Sequence, residues 1–471
     1  MVSNNFNVQE EKTWPQVLAI VTSCFLGIPF GMLFSWSSPF IVKITEDKVN
    51  YNITENEASV FTTIPPIMMI LLCPVFSKLC DIIGRKRTLM LIAVPQIIAW
   101  LLTIVSNNVW VLYLSRFFSG IGDGGIMASL PMYVGEVAIP KIRGAWGNIM
   151  NVFIYLGVFL INVIGSYCDV KQTAYICISL PILYLAIMSF MPESPYYYIK
   201  KGDPAKAKES LRWLRGKTDV DQIYEKLKID IEKQMLETGT WKDLVSIRSN
   251  RKALLAGIFL RVSQQLGGAA AFSVYTKFIF KKSGSDISPA VASMIYTGLC
   301  FGLLFVSGFV IERFGRKKSY MGALTTCGIV LLSQAIYLFI DQQVPSIDLS
   351  SIKWFPVVGM ILYVIFCSFG IFNIPTLMSG ELFSTSIKAK GLSVLTITFG
   401  VMIFVANNIF YLLNTSIGLY CPFLFFGVCN IISTSLSIYI IPETKGKTLE
   451  EIQEDLKSEK VPKKVKSQSP V

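Results

Sequence analysis

The chain contains no histidine in 471 residues. That absence removes the usual proton shuttle, the commonest metal ligand and the commonest general base. Charge is scarce as well. Asp, Glu, Lys and Arg make up 16% of the residues, whereas soluble domains carry about a quarter. Cysteine is present but unpatterned. The ten lie at 24, 73, 80, 168, 177, 300, 327, 367, 421 and 429, with no CxxC spacing. They read as small apolar residues, neither a metal site nor a disulfide framework. Cys168 and Cys421 fall near loops on one side, and sequence leaves open whether they pair. No nucleophile elbow, metal cluster or Walker motif occurs, so nothing points to an enzyme or to a cofactor.

What the chain has is apolar length. Hydrophobic residues make up 52%, and mean hydropathy is +0.54. Twelve apolar segments are predicted near 16–42, 58–80, 88–106, 109–133, 145–167, 171–191, 253–276, 287–311, 319–340, 354–380, 390–413 and 417–441. Each is long enough to cross roughly 30 Å of hydrocarbon as a helix. No ten-residue segments of period-2 alternation appear, which excludes a β-barrel. The class is an all-α polytopic membrane protein.

Short basic clusters fix its orientation. Asp81-Ile-Ile-Gly84-Arg85-Lys86-Arg87 follows the second segment, and Glu312-Arg313-Phe-Gly315-Arg316-Lys317-Lys318 follows the eighth. With Lys141/Arg143, Lys388/Lys390, the 196–252 stretch and the lysine-bearing tail, they fall on one side if both termini are cytoplasmic. This distribution accounts for the net charge of +12 without nucleic acid. Lys277, Lys281 and Lys282 are the exception, on the outer side by this count. Asn52-Ile-Thr54, in an outer loop, is a candidate glycosylation acceptor. Asp203-Pro204 followed by AKAKESLRWLR predicts an N-cap, a proline in the first turn and an amphipathic helix, with a second helix near 219–237. The units are an N-terminus (1–14), a first bundle (15–191), a cytoplasmic helical linker (192–252), a second bundle (253–441) and a tail (442–471).

The two halves repeat one another. The basic clusters recur, Gly135-Glu136 with Arg143 recurs as Gly380-Glu381 with Lys388, and Pro192-Glu193-Ser194 recurs as Pro442-Glu443-Thr444. The stretches DIIGRKR, SRFFSGIG, PMYVGEVAIPKIRGAWG, MPESP, QQLGG, IERFGRKK, GELFSTSIKAKG and IPETKGKTLEEI run through nearly the whole chain. On these residues it resembles the sugar-porter branch of the major facilitator superfamily, and within it the insect facilitated trehalose and hexose transporters. The resemblance implies a pseudo-symmetric 6+6 helix bundle in the plasma membrane, a monomer in the lipid bilayer, a sugar bound near the midplane, and alternating access by rocking of the halves.

It also implies roles for residues. Arg85, Glu136, Arg143, Glu193, Glu312, Arg316, Glu381 and Lys388 are candidates for an inner gate whose ion pairs join the halves when that side is closed. Positive-inside anchoring explains the lysines but not the acids. Gln264 and Gln265 match paired sugar-contacting glutamines, and Asn151 stands where a glutamine is usual. Asn373 is an unmatched amide in the tenth segment. Ala270, Cys300, Thr376 and Phe399 occupy positions where the pattern has polar or tryptophan contacts. Arg116, Asp123 and Arg261 are intramembrane charges, with Asp123 expected to pair with Arg116 or Arg261, for function or for packing alone. The first segment lacks an acid, which favours facilitated diffusion over proton coupling. A proton-coupled symporter and a non-transporting sensor or degenerate paralogue remain as alternatives. Arg261 would also suit an anionic solute.

Overall fold

The computed structural model describes residues 12–139, 142, 146, 148–236, 239–284, 287–344, 346–384, 386–447 and 449–457. The described residues form helices and connections, with no strand. Among the described residues, ten helical stretches are long and apolar enough to span a membrane. Large apolar side chains such as Leu71, Trp110, Phe190, Phe309, Ile336 and Tyr439 face outward. In water such a surface would be unfavourable; against lipid tails it is at home.

The first bundle opens with a helix broken into α1 (Trp14–Cys24), α2 (Gly27–Phe34) and α3 (Ser37–Glu46). Pro29 and Pro39 explain the breaks, because each lacks the N–H that would bond four residues back. Then come α4 (Glu55–Ile83), α5 (Arg85–Val105), α6 (Val109–Val137), α7 (Ile149–Tyr167), α8 (Val170–Cys177) and α9 (Ser179–Ser189). Thr54 starts α4 through a capping box with Glu57.

α6 spans the predicted 109–133 segment but falls outside the ten strongly apolar spans. Arg116, Asp123 and Glu136 lower its hydropathy. It is buried instead by glycines. A Cβ at Gly120 would come within 2.6 Å of the Pro65 carbonyl, and one at Gly124 within 3.0 Å of Met69 O. Small residues let helix backbones approach closely without a water-driven hydrophobic effect.

Between the bundles lie α10 (Pro195–Lys200), α11 (Pro204–Arg215), α12 (Asp221–Leu236) and α13 (Trp241–Ser246). Asp203 caps α11 by accepting from the Lys206 N–H at 3.1 Å, and Gly216 closes it in the left-handed conformation, φ 60°. Ala207, Leu211, Val220 and Tyr224 form a small separate core there. Ser210 donates to the Glu193 carbonyl, which ties α11 to the end of the first bundle.

The second bundle begins with α14 (Arg248–Leu266), α15 (Ala269–Val274) and α16 (Thr276–Lys282), broken at Gly267-Gly268. It continues through α17 (Pro289–Phe314), α18 (Arg316–Gln343), α19 (Phe355–Ser368), α20 (Ile374–Glu381), α21 (Lys388–Ser416) and α22 (Tyr420–Ile440). A last helix, α23 (Leu449–Lys457), follows. The bundles meet along α4 with α21 and along α7 with α17. All ten cysteines are free, including Cys168 and Cys421.

Candidate functional site

On the side that carries the linker, each bundle holds one charged cluster. Arg85 Nε lies 2.9 Å from Glu136 Oε2, and its Nη2 lies 3.0 Å from Asp81. Glu193 accepts from the backbone N–H groups of Arg85 at 2.9 Å and Lys86 at 3.0 Å. Ser194 donates to Glu136. The second bundle repeats the arrangement. Arg316 lies 3.1 Å from Glu381, Glu443 accepts from the N–H groups of Arg316 (3.0 Å) and Lys317 (3.1 Å), and Thr444 donates to Glu381 at 2.6 Å.

The chemistry is that of a carboxylate on a helix N-terminus. The first N–H groups of α5 and α18 have no intrahelical partner, and the helix dipole favours an anion there. Gly84 and Gly315 make room for it. They adopt φ 106° and φ 89°, and a side chain at Gly84 would collide with the Glu193 carboxylate.

Every one of these pairs closes within its own bundle. The expectation of pairs between halves is therefore not what this conformation contains. Glu312 is exposed and makes no ion pair among the described residues. Lys388 donates to the Gly380 carbonyl at 2.7 Å. Arg143 lies outside the described residues. Glu443, Thr444 and Ser194 join the clusters without having been singled out, although the repeated Pro-Glu-Ser/Thr was the signal for them.

The hydrogen bonds between bundles cluster on the opposite, far side. Thr62 meets the Tyr275 hydroxyl at 3.0 Å, Asn407 donates to the Thr62 carbonyl at 3.5 Å, and Tyr411 meets Asn56. Lys281 pairs with Glu46. Tyr275 also stacks on Phe410, with ring centroids 4.7 Å apart. Among the described residues, these bonds join the bundles on this side.

Of the intramembrane charges, Arg116 and Asp123 interact electrostatically without coming within ion-pair distance. Arg116 lies over Trp36, 4.1 Å from the ring centroid, and donates to the Leu33 carbonyl at 3.3 Å. Asp123 makes no salt bridge with Arg116 or Arg261 among the described residues. Its Oδ1 is buried without a partner. It lines a cavity of ≈ 20 Å³ with Thr62, Val274 and Asn407, room for about one water.

Arg261 lies elsewhere, on α14. Its Nη1 bonds to Gln264 Oε1 and Thr376 Oγ1, both at 3.2 Å, and its guanidinium lies 5.0 Å from the Phe399 ring centroid. Gln264 also donates to the carbonyls of Ile371 (2.9 Å) and Phe372 (3.3 Å) at the break between α19 and α20. Gln265 is buried with Oε1 unpartnered. Asn373 donates to Ser307 at 2.8 Å and keeps an unpartnered Oδ1. Asn151 stands in the first turn of α7 and bonds Asn148 at 2.9 Å. Ala270 and Cys300 are buried.

Two helical bundles of repeated design, apolar outside and polar along their shared interface, define a multi-pass membrane transporter. The family model described as sugar (and other) transporter matches residues 8–456, and the chain belongs to that family. It is similar to the facilitated trehalose transporter Tret1 of Polypedilum vanderplanki, 32% identical over 93% of this chain and 88% of the relative. The Culex quinquefasciatus Tret1 is 30% identical over 94% of this chain and 86% of its own length. The fold matches the major facilitator proton:xylose symporter XylE bound to 6-bromo-6-deoxy-D-glucose, TM-score 0.75, 19% identity, over 94% of this chain and 100% of that one. An inward-open XylE from E. coli matches at TM-score 0.73 and 18% identity, over 93% of this chain and 98% of that one.

Proposed function

We propose that the protein carries a sugar, trehalose or a hexose such as glucose, down its gradient by alternating access. The observation that carries this reading is the matched pair of linker-side clusters, each closed within its own bundle. Clusters of this kind keep each bundle rigid, while the far-side seal between bundles rests largely on neutral hydrogen bonds. Such bonds contribute only about 0.5–1.5 kcal/mol each. A seal of that strength can open and close on the timescale of transport, whereas the bundles themselves stay intact.

In this reading twelve segments cross the plasma membrane, with α6 and the broken α14–α16 completing the ten apolar spans. Both termini and the 192–252 linker are cytoplasmic, and the chain works as a monomer. The linker side is then the cytoplasmic side, and Arg85, Glu136, Glu193, Arg316, Glu381 and Lys388 line its gate. When that side closes, the acids and bases at the helix ends exchange partners between halves, Arg143 and Glu312 among them. Gln264, Gln265, Asn151 and Asn373 supply amides for sugar hydroxyls, since an amide both donates and accepts. Asn52, exposed just before α4, lies on the outer face, where a glycan would be accommodated.

The test is uptake of labelled trehalose and glucose by the purified full chain in proteoliposomes. Saturable uptake that stops at equal concentrations supports the reading. Absence of uptake of either sugar by protein that stays monodisperse and folded would overturn it.

A further inference from the structure

We infer that Arg261 is a counter-charge for the substrate, and that among the sugars carried the site prefers an anionic one, with a carboxylate or phosphate borne on a polyhydroxylated body. This deepens the transport reading above and rests on it.

Arg261 stands eight residues past Ala253, where the seventh apolar segment begins, roughly 12 Å along the helix at 1.5 Å per residue. Its guanidinium therefore lies within the span, where a charge needs a partner or faces a solute pathway. Arg85 and Arg316, by contrast, each meet an acid. No carboxylate lies within ion-pair reach of Arg261 among the described residues. Its hydrogen bonds go to the neutral oxygens of Gln264 and Thr376, and its Nε is buried without a partner. A charge within a membrane bundle is costly unless paired, and it marks a solute pathway. The missing partner here is the solute. The site is reachable, because Arg261 is only partly buried and Thr376 is exposed.

The surroundings fit the same purpose. Thr376 and Phe399 are two of the four positions at which the chain departs from the sugar-porter pattern, and both touch Arg261. The departures and the added cation are one local arrangement. A hydroxyl orients the guanidinium, and an aromatic face supports it without neutralising it. A planar guanidinium presents paired donors that match a carboxylate or a phosphate. Gln264 and Gln265 follow three and four residues later, on the same helix face. Gln265 keeps an unpartnered amide oxygen for a sugar hydroxyl, while the Gln264 amide joins Arg261 to the Ile371 and Phe372 carbonyls.

The experiment uses the full chain in proteoliposomes. Labelled glucose and labelled glucuronate uptake are each measured with unlabelled glucose, glucuronate and glucose 6-phosphate as competitors, for wild type, Arg261→Gln and Arg261→Lys. One charge-assisted pair is expected to separate the anionic from the neutral sugar by roughly tenfold to a hundredfold. Glucuronate or glucose 6-phosphate should therefore compete at that much lower concentration than glucose in wild type. Arg261→Gln should erase the difference and Arg261→Lys should retain part of it. Uptake of glucuronate should also accelerate under an interior-positive potential. Preference for one competitor over the other distinguishes the carboxylate from the phosphate.

Saturable glucose uptake with no preferential effect of either anion overturns this inference and leaves sugar transport standing. An unchanged preference in folded Arg261→Gln overturns the assignment to Arg261. Failure of folded wild type to take up either labelled sugar overturns the transport reading itself. If Arg261→Gln does not fold, the wild-type competition and its potential dependence decide the matter.

Discussion

Replacing Gly84 by alanine should unseat Glu193 from the start of α5. The glycine has φ 106° and ψ 160°, a region open almost only to glycine, and an alanine there stores about 1–3 kcal/mol of backbone strain. The new Cβ would also overlap the Glu193 carboxylate. Moving that group away weakens its bonds to the Arg85 and Lys86 N–H groups, and a charge-assisted bond contributes about 1.5–3 kcal/mol. Together the loss is on the order of 3–5 kcal/mol. Thermal denaturation in detergent, followed by size-exclusion chromatography, measures it. Gly302→Ala is the control, because a Cβ at Gly302 meets nothing within 4 Å. In a Glu193→Ala background, Gly84→Ala should retain only its backbone term, a coupling of about 2 kcal/mol. Equal midpoints for Gly84→Ala and Gly302→Ala would refute the argument. So would strict additivity with Glu193→Ala.

Gly315→Ala should cost less than Gly84→Ala, since its Cβ would lie 2.9 Å from Glu443; the same denaturation series ranks the two. Tyr275→Phe removes the hydroxyl facing Thr62 and should loosen the far-side seal by about 0.5–1.5 kcal/mol. Faster labelling of a Val274→Cys reporter in the cavity behind that seal, relative to the same reporter with Tyr275 intact, by an impermeant reagent added from the far side would show it. The Asp203 carboxyl is held below the ordinary aspartate range, first by the Lys206 side chain and then by its N–H. A lowered folded value means that its support for α11 is full above the ordinary aspartate pKa and fades as pH falls through the folded one. The protection of α11 against hydrogen exchange, taken relative to the intrinsic rate at each pH, should therefore fall on acidification in wild type and lose that pH response in Asp203→Asn.

The repeats made most of the frame legible. DIIGRKR and ERFGRKK each lie at a junction between two long helices, and Asp203-Pro204 opens α11 where the capping pattern put it. Apolar length located ten spans, and it also located the helix α6, which Arg116 and Asp123 make less apolar and whose glycines pack it closely. Partners were less legible. Sequence marks Arg85, Glu136, Arg316 and Glu381 as gate residues, yet ion pairs depend on three-dimensional neighbours, and here each arginine meets the acid of its own bundle. Asp123 was expected to pair with an arginine from its helix spacing and the cavity; Arg116 does interact with it at longer range, but its guanidinium lies over Trp36. The role of Thr376 and Phe399 was hidden for a related reason. Position by position they read as lost sugar contacts, and only packing reveals that both border Arg261.

The central claim, passive exchange of sugar by alternating access, is tested most directly by countertransport. Proteoliposomes holding the full chain are preloaded with unlabelled trehalose or glucose, and entry of the labelled sugar is timed with and without an imposed pH gradient. The account predicts a transient overshoot of label with preloaded vesicles and the same curve under either pH condition, in keeping with a first segment that has no acid and a chain that has no histidine. Sustained accumulation driven by the pH gradient would contradict passive exchange. Absence of any overshoot from folded protein would contradict alternating access.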